Sequence, residues 1–180
     1  MKHKKLAFTT FAIGAGLATY LIKNRANKTI ISQAITNFNI EKYLGLWYEI
    51  ARLDNFWEKH QNNVTARYLK YDDQSIEVIN RSYNQKKKIW NRSKGIAKLI
   101  KADVGRFKIS FLEPIYSSYN IIDIDDDYNY ALVAGKNTNF LWILSRNKFI
   151  TNEIKERFIT KAKQLGFATD KLIWTTHNDQ

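Results

Sequence analysis

Four aspartates crowd into five positions of the chain, at Asp123, Asp125, Asp126 and Asp127. Carboxylate oxygens are the ligands that a hard cation such as Ca²⁺ prefers. The segment lacks the glycine and the downstream glutamate of a calcium-binding loop, which favours a polar turn over a metal site. With three His and no Cys in 180 residues, a multi-histidine metal site is disfavoured, and disulfides and thiol chemistry are excluded.

The sequence also lacks the signs of a hydrolase. No G-x-S-x-G segment is present, so a nucleophilic serine would lack its usual setting. The sequence therefore predicts a protein that is not an enzyme, with no catalytic residue, no cofactor and no metal ion. Isomerase or de-epoxidase chemistry on a bound hydrophobic molecule is a marginal alternative. Five Trp, ten Tyr and ten Phe instead require either a thick core or a binding cavity.

The elements that must position these rings are mostly strands. From Leu44 onward, β-rich runs recur at spacings of about 10–15 residues, with polar turns between them. Eight strands in sequence with short connections favour an all-β, antiparallel, up-and-down barrel, whose interior is wide enough for one small ligand. The predicted strands are 45–54, 63–71, 75–83, 89–100, 105–112, 119–125, 128–135 and 140–146.

One α-helix is predicted after the eighth strand. Thr151 or Asn152 can cap it, Glu153 lies in its first turn, and Gly166 stops it. A last short strand is predicted over 171–175. The helix presents one apolar stripe, which predicts that it packs on the barrel wall, and the stripe consists of Ile154, Phe158, Ile159, Ala162 and Leu165.

The first 22 residues have the pattern of an export signal or a membrane anchor. Basic residues precede an uncharged run from Leu6 to Ile22, and Lys23 and Arg25 follow it. The run is longer than the usual core of a signal peptide and slightly shorter than a spanning helix, so both alternatives stay open. We therefore expect a hydrophobic helix in 1–22, a polar linker over 23–36 and the barrel domain over 37–180.

The net charge of +12 divides between this tail and the barrel. Six basic residues and no acid precede Glu41, while the rest of the chain holds 23 basic and 17 acidic residues. The barrel is thus mildly basic, which argues against a nucleic-acid partner and is modest evidence for anionic surfaces.

Three stretches have specific spacing: GLWYEIAR at 45–52, DDDYNYALV at 125–133 and LWILSR at 141–146. Together they resemble the three signature regions of the lipocalins, over about residues 37–175. The amino-acid sequence of these stretches is most similar to the bacterial lipocalins of the outer-membrane lipoprotein type and, more distantly, to apolipoprotein D. Bacterial members usually carry a lipobox cysteine, and because this chain has none, that lipid anchor does not transfer.

The resemblance implies a calyx with one closed end. Trp47 would close the narrow end with the Arg146 guanidinium over its ring, a pair that contributes about 0.5–2 kcal/mol. Gly45 would let the chain turn into the first strand. Asp125 and Tyr128 belong to the signature between the sixth and seventh strands. These five residues are therefore expected to be structural.

The resemblance to apolipoprotein D also implies ligand-lining positions at Tyr68, Asn80, Asn120 and Ile122. Strand alternation then places other side chains on the same inward faces. The expected lining is apolar and aromatic with a few amides, which suits a fatty acid or a lysophospholipid. The residues added by alternation are Ala66, Val78, Phe111 and Trp142.

Two alternatives concern what the barrel does. The first is reversible binding of such a lipid for storage, transport or maintenance of envelope lipid, on the periplasmic side of a bacterial cell envelope. The second is a structural envelope protein whose barrel is filled by its own side chains. A homodimer is possible in either case. In the loop after the first strand, Phe56 and Trp57 could serve as a lid or touch a bilayer. Lys86–Lys88 is interpreted as a solvated turn, with a lipid-recognition site as the alternative.

Overall fold

A computed structural model describes residues 30–72 and 75–178 of the chain, except for the side chain of Trp57. The predicted hydrophobic helix of residues 1–22 and the first part of the predicted linker lie outside these ranges. Within them, no helix is both long enough and apolar enough to cross a membrane.

Eight antiparallel strands form a closed barrel, which confirms the predicted architecture. Each strand pairs with the next one in sequence, and β1 pairs with both β8 and β2, which closes the sheet. The strands are β1 (Gly45–Leu53), β2 (Gln61–Lys70), β3 (Ser75–Asn84), β4 (Ile89–Leu99), β5 (Arg106–Leu112), β6 (Ile115–Ile124), β7 (Tyr130–Ala134) and β8 (Leu141–Ser145).

The first strand changes its partner along its length. β1 pairs with β2 over Gly45–Tyr48, and then with a short ninth strand, β9 (Leu172–Trp174), over Ala51–Leu53. A register shift between Glu49 and Ala51 in its pairing with β8 accompanies the change. β1 and β2 therefore diverge towards one end of the barrel, and the C-terminal strand covers the edge that β2 leaves.

A short helix lies directly before the strands and a longer one follows β8. Helix α1 (Ile40–Tyr43) precedes β1, and helix α2 (Asn152–Gln164) follows β8. Thr151 caps α2, because its side-chain oxygen accepts a hydrogen bond from the Ile154 amide at 3.3 Å. Phe158 and Ala162 on α2 are buried against apolar side chains on the outer face of the barrel, and this packing confirms the predicted helix on the wall.

The segment before α1 differs from the polar linker predicted over 23–36. Ile30 is buried in the cluster under α2, and Ile35 packs on the interior cluster. The Ile35 amide donates to the Ile121 carbonyl at 2.9 Å, and the Gly105 amide donates to the Ile35 carbonyl at 2.9 Å. Its isoleucines have apolar surface to bury, so residues 30–36 lie against the barrel instead of spanning open solvent.

Candidate ligand-binding site

The closed end of the barrel is organised around Trp47. The Arg146 guanidinium lies 3.9 Å from the centre of the buried indole ring. Its Nη1 donates to the Leu46 carbonyl and its Nη2 to the Lys42 carbonyl, each at 2.8 Å, and its Nε donates to the Tyr128 carbonyl at 3.2 Å. Partial burial lowers the pKa of Arg146, and the charges of nearby groups oppose that shift. With its donors engaged by backbone, Arg146 acts as scaffold.

The aspartate-rich segment forms the turn between β6 and β7. The Tyr128 amide donates to the Asp125 carbonyl at 3.0 Å, and the Tyr128 hydroxyl accepts from the Asn39 amide at 2.9 Å. Asp123 is paired with Arg157 and Lys161 of α2. Among the residues that the structure describes, no group of three or more His, Cys, Asp or Glu side chains could hold a metal ion. The hydrogen bond from the Tyr128 amide to the Asp125 carbonyl is that of a turn between the two strands.

Gly45 has a φ of +100°, a backbone conformation that side chains with a Cβ adopt only under strain. We expect Gly45→Ala to lower the free energy of unfolding by about 1–2 kcal/mol, measured by urea denaturation. Gly166→Ala is the matched control: its φ is +85°, and no described atom lies within 4 Å of an added Cβ, whereas at Gly45 that Cβ would lie 3.3 Å from Arg146 Nη1. A smaller loss at Gly45 than at Gly166 would contradict the role assigned to the closed end.

Three tyrosine hydroxyls meet close to Trp47 inside the barrel. The Tyr119 hydroxyl lies 2.6 Å from that of Tyr43 and 2.7 Å from that of Tyr68. Burial raises the pKa of all three phenols, to about 12 for Tyr68, so they stay neutral. Together with the rings of Phe38 and Phe107 they form a packed floor. The lower half of the barrel is thus filled by the chain itself.

The side chains predicted to line the barrel on β2, β3 and β8 do face its interior. Ala66 lies opposite Asn80, and Tyr68 lies opposite Val78. Tyr68 and Val78 belong to the interior cluster, and Ala66 packs against it. Trp142 also packs on this cluster from β8. These five residues therefore share the lumen above and beside the tyrosine floor.

Phe111 belongs to β5, and its ring lies over the lumen face of the neighbouring strand β4, near the open end. A Cβ added to Gly95 would come within 2.8 Å of the Phe111 ring, so the ring covers that glycine. Gly95 is paired with the inward-facing Val78, which identifies the face. The small residue leaves the space that the ring occupies, and the ring remains exposed towards the opening.

The inward placement predicted for Asn120 and Ile122 is wrong. Ile122 belongs to the outer cluster under α2, and the Asn120 side chain donates to the carbonyls of Ala134 and Gly135 at 3.2 and 2.9 Å. Tyr119 and Ile121 face the interior instead. The two positions that the resemblance to apolipoprotein D implies as lining therefore lie on the outer face of β6, and a register shift between Ile121 and Asp123 breaks the period of two on this strand.

Sequence reasoning missed a buried charged cluster near the mouth, where β1 and β2 diverge. Arg52 Nη1 donates to Glu49 Oε1 at 2.5 Å, and Arg52 Nη2 donates to the Glu58 carbonyl at 2.7 Å. The Thr175 hydroxyl donates to the same Glu49 oxygen at 2.7 Å. Glu49 and Arg52 lie on β1, Glu58 lies on the β1–β2 connection, and Thr175 lies in the C-terminal segment. Because these segments are separate in sequence, no local pattern indicates the cluster.

Glu58 is the titratable group of this cluster. Its carboxylate accepts from the Trp142 indole at 3.2 Å and from the Asn55 amide. Burial first, and then the charge of Glu49, raise the pKa of Glu58 from 4.5 to about 7, against the opposing effects of Asn55, Arg52 and Trp142. A carboxyl that titrates near neutral pH therefore touches a ring that faces the lumen.

Asn80 carries a second polar feature of the lumen. Its Oδ1 is buried and has no hydrogen-bond partner among the described residues. A buried acceptor without a donor is costly unless another group supplies one. The inward face of β3 thus carries a polar atom that the described residues leave without a partner.

Residues 38–177 match the family described as the lipocalin-like domain. The outer membrane lipoprotein Blc of Citrobacter freundii is 41% identical over 141 residues, which cover 78% of this chain and 80% of that protein. This chain belongs to the lipocalin family. Mouse apolipoprotein D is 32% identical over 125 residues, covering 65% of each chain.

Solved structures show the same lipocalin fold. Lobster apocrustacyanin A1 superposes with a TM-score of 0.66 at 17% identity, over 78% of this chain and 81% of that one. The three signature stretches therefore identified the family correctly. The match begins one residue after the start predicted for the barrel domain and ends two residues beyond the predicted resemblance.

Proposed function

We propose that this lipocalin reversibly binds a fatty acid or a lysophospholipid in the upper half of its barrel. One observation carries the proposal. Four of the five floor side chains (Phe38, Tyr43, Tyr68 and Phe107) are buried and Tyr119 is partly buried, whereas Ala66, Asn80 and Trp142 face inward closer to the mouth and all keep accessible surface. A barrel filled to its mouth by its own side chains would bury them. Each methylene that leaves water for such a lumen contributes about 0.8 kcal/mol.

The polar groups of the lumen suit a ligand with one polar end. Asn80 supplies an unpaired acceptor, and the Trp142–Glu58 contact lies at the mouth. A chain of about a dozen carbons below such groups would gain useful affinity after the ordering costs of binding. The floor of neutral tyrosines sets the depth to which the acyl chain reaches.

The relatives support a place for this activity in the bacterial cell envelope. The protein of Citrobacter freundii is named an outer membrane lipoprotein. This chain lacks the cysteine of a lipoprotein, so attachment would fall to the run Leu6–Ile22, acting as a signal peptide or a single anchor. We assign the barrel to the periplasmic side, where it would store, carry or recycle envelope lipid.

Displacement of a fluorescent fatty acid tests the proposal, with native mass spectrometry to count the bound lipid. Ala66→Trp should weaken binding about 10- to 100-fold, because a large ring displaces two or three methylenes from the lumen. Leu69→Trp is the matched control, since Leu69 lies on the same strand, is exposed and lies outside the interior cluster.

A native protein that binds no fatty acid and no lysophospholipid would support the filled, structural barrel instead. Equal losses of affinity in the two tryptophan variants would contradict the lumen as the binding site, even if the lipid binds.

A further inference from the structure

Four connections lie together at the open end of the barrel, because they join alternate strand pairs of one up-and-down sheet. They are the β1–β2, β3–β4, β5–β6 and β7–β8 connections, and we call them, with the strand residues that flank them, the rim. Large apolar side chains point into solvent from two of them: Phe56 is 77% exposed, Leu112 71% and Ile115 66%. Ile89 and Trp90 after the β3–β4 turn are also exposed.

Apolar side chains at the opposite end do not form such a group. Among the described residues there, Tyr71 and Phe149 reach comparable exposure, at 64% and 63%, but they stand on different connections. Single exposed apolar residues are common on soluble proteins, whereas a group at one end marks an interaction surface. The rim therefore needs a partner that accepts apolar side chains.

The charge of the rim identifies the kind of partner. Its connections carry five exposed lysines, against the exposed acids Asp54 and Glu113. Glu113 in turn accepts a hydrogen bond from the Tyr116 hydroxyl at 2.8 Å. The excess positive charge lies on three of the four connections, and the lysines are Lys59, Lys86, Lys87, Lys88 and Lys136.

From this combination of exposed apolar side chains and lysines we infer that the rim docks on the surface of an anionic lipid bilayer. Such a surface offers negative head groups to the lysines and an apolar layer just beneath them to Phe56, Leu112 and Ile115. The mouth of the barrel would then face the bilayer directly, so a lipid would enter without crossing water. Lys86–Lys88 would then contact lipid head groups, which is the alternative to the solvated turn. The docking is separate from the proposed lumen binding, and either can hold without the other.

The absence of cysteine makes a direct test possible in the full chain. Ile115→Cys places a single fluorescent label on the rim, and Phe149→Cys places the same label on an equally exposed site at the closed end. Both chains are mixed with vesicles of phosphatidylglycerol and phosphatidylcholine that carry nitroxide quenchers on their acyl chains. The N-terminal segment is identical in the two chains, so any tethering by it affects both labels alike.

We expect quenching of the label at position 115 and none at position 149. In vesicles of phosphatidylcholine alone, or after Lys86, Lys87 and Lys88 are changed to Gln, quenching at 115 should fall at least several-fold. Equal quenching at both sites, or none at 115, would overturn the inference. A shift of the rim label that requires no vesicles and grows with protein concentration would also overturn it, by assigning the rim to a second copy of the chain.

Discussion

Replacing Trp47 with alanine should lower the free energy of unfolding by about 3–5 kcal/mol, the range for removing a large aromatic side chain from a core. The indole is fully buried, packs 4.9 Å from the Tyr43 ring and donates from its Nε1 to the Tyr43 carbonyl at 2.9 Å. Its loss leaves a cavity next to the floor and removes the ring on which the Arg146 guanidinium lies. Urea denaturation followed by circular dichroism measures the change without depending on tryptophan fluorescence.

Trp174→Ala is the control for this experiment. Trp174 also lies under a cation, with Lys155 Nζ 4.2 Å from its ring centre, but it is 40% exposed. Its removal should cost less than about 1 kcal/mol. Trp47→Phe should fall between the two, because it keeps a ring below Arg146 and loses the indole N–H. Similar losses for Trp47→Ala and Trp174→Ala would contradict a special role for the closed end.

The second large effect concerns pH and Glu58. The pKa of this carboxyl is raised from 4.5 to about 7 by burial and by Glu49. A raised pKa means that the folded protein holds the proton more tightly than the unfolded chain. The stability that Glu58 contributes is therefore fully present below pH 4.5 and is lost as the pH rises through 7. The loss amounts to at most about 3 kcal/mol.

Glu58→Gln removes this titration and keeps a side chain of similar shape that still accepts from Trp142. The variant and the native protein should have similar free energies of unfolding at pH 5, and the variant should be more stable by up to about 3 kcal/mol at pH 8. Urea midpoints at the two pH values measure the difference. Asp54→Asn is the control, since it changes an exposed acid of the same β1–β2 connection. In this variant the free energy of unfolding should differ between pH 5 and pH 8 by the same amount as in the native protein. A Glu58→Gln effect of the same size at both values would show that Glu58 does not titrate there.

Local pattern was sufficient for the barrel and insufficient for the details of its lumen. Turn residues and alternation placed all eight strands, and Thr151 and Gly166 predicted the ends of α2, because these signals act between near neighbours. Alternation did not show which face of β6 is inward, because both faces of this strand are apolar. One face meets the lumen and the other meets α2. Its partner across the sheet held the missing information, since Tyr119 pairs with the inward Phe107.

The charged cluster and the tyrosine floor were beyond a local pattern for another reason. Glu49, Arg52 and Glu58 are polar residues that read as solvent-facing in sequence, and burial becomes acceptable only when partners arrive from Gln61 and Thr175. Tyr43, Tyr68 and Tyr119 belong to a helix and two strands that the closed barrel brings together. Such groups depend on contacts between distant segments, which composition and spacing do not specify.

The change of partner along β1 also bears on the order in which the molecule can be completed. β1 is the first strand to be synthesised, yet Ala51–Leu53 pair with residues 172–174, which emerge from the ribosome more than a hundred residues later. In a partial chain that stops before β9, the backbone groups of Ala51–Leu53 on this edge of β1 lack their strand partner. Contacts this distant in sequence form slowly. The pairing of β1 with β9 can therefore form only after nearly the whole chain has been synthesised, so the cover on this edge of β1 depends on the C-terminal segment.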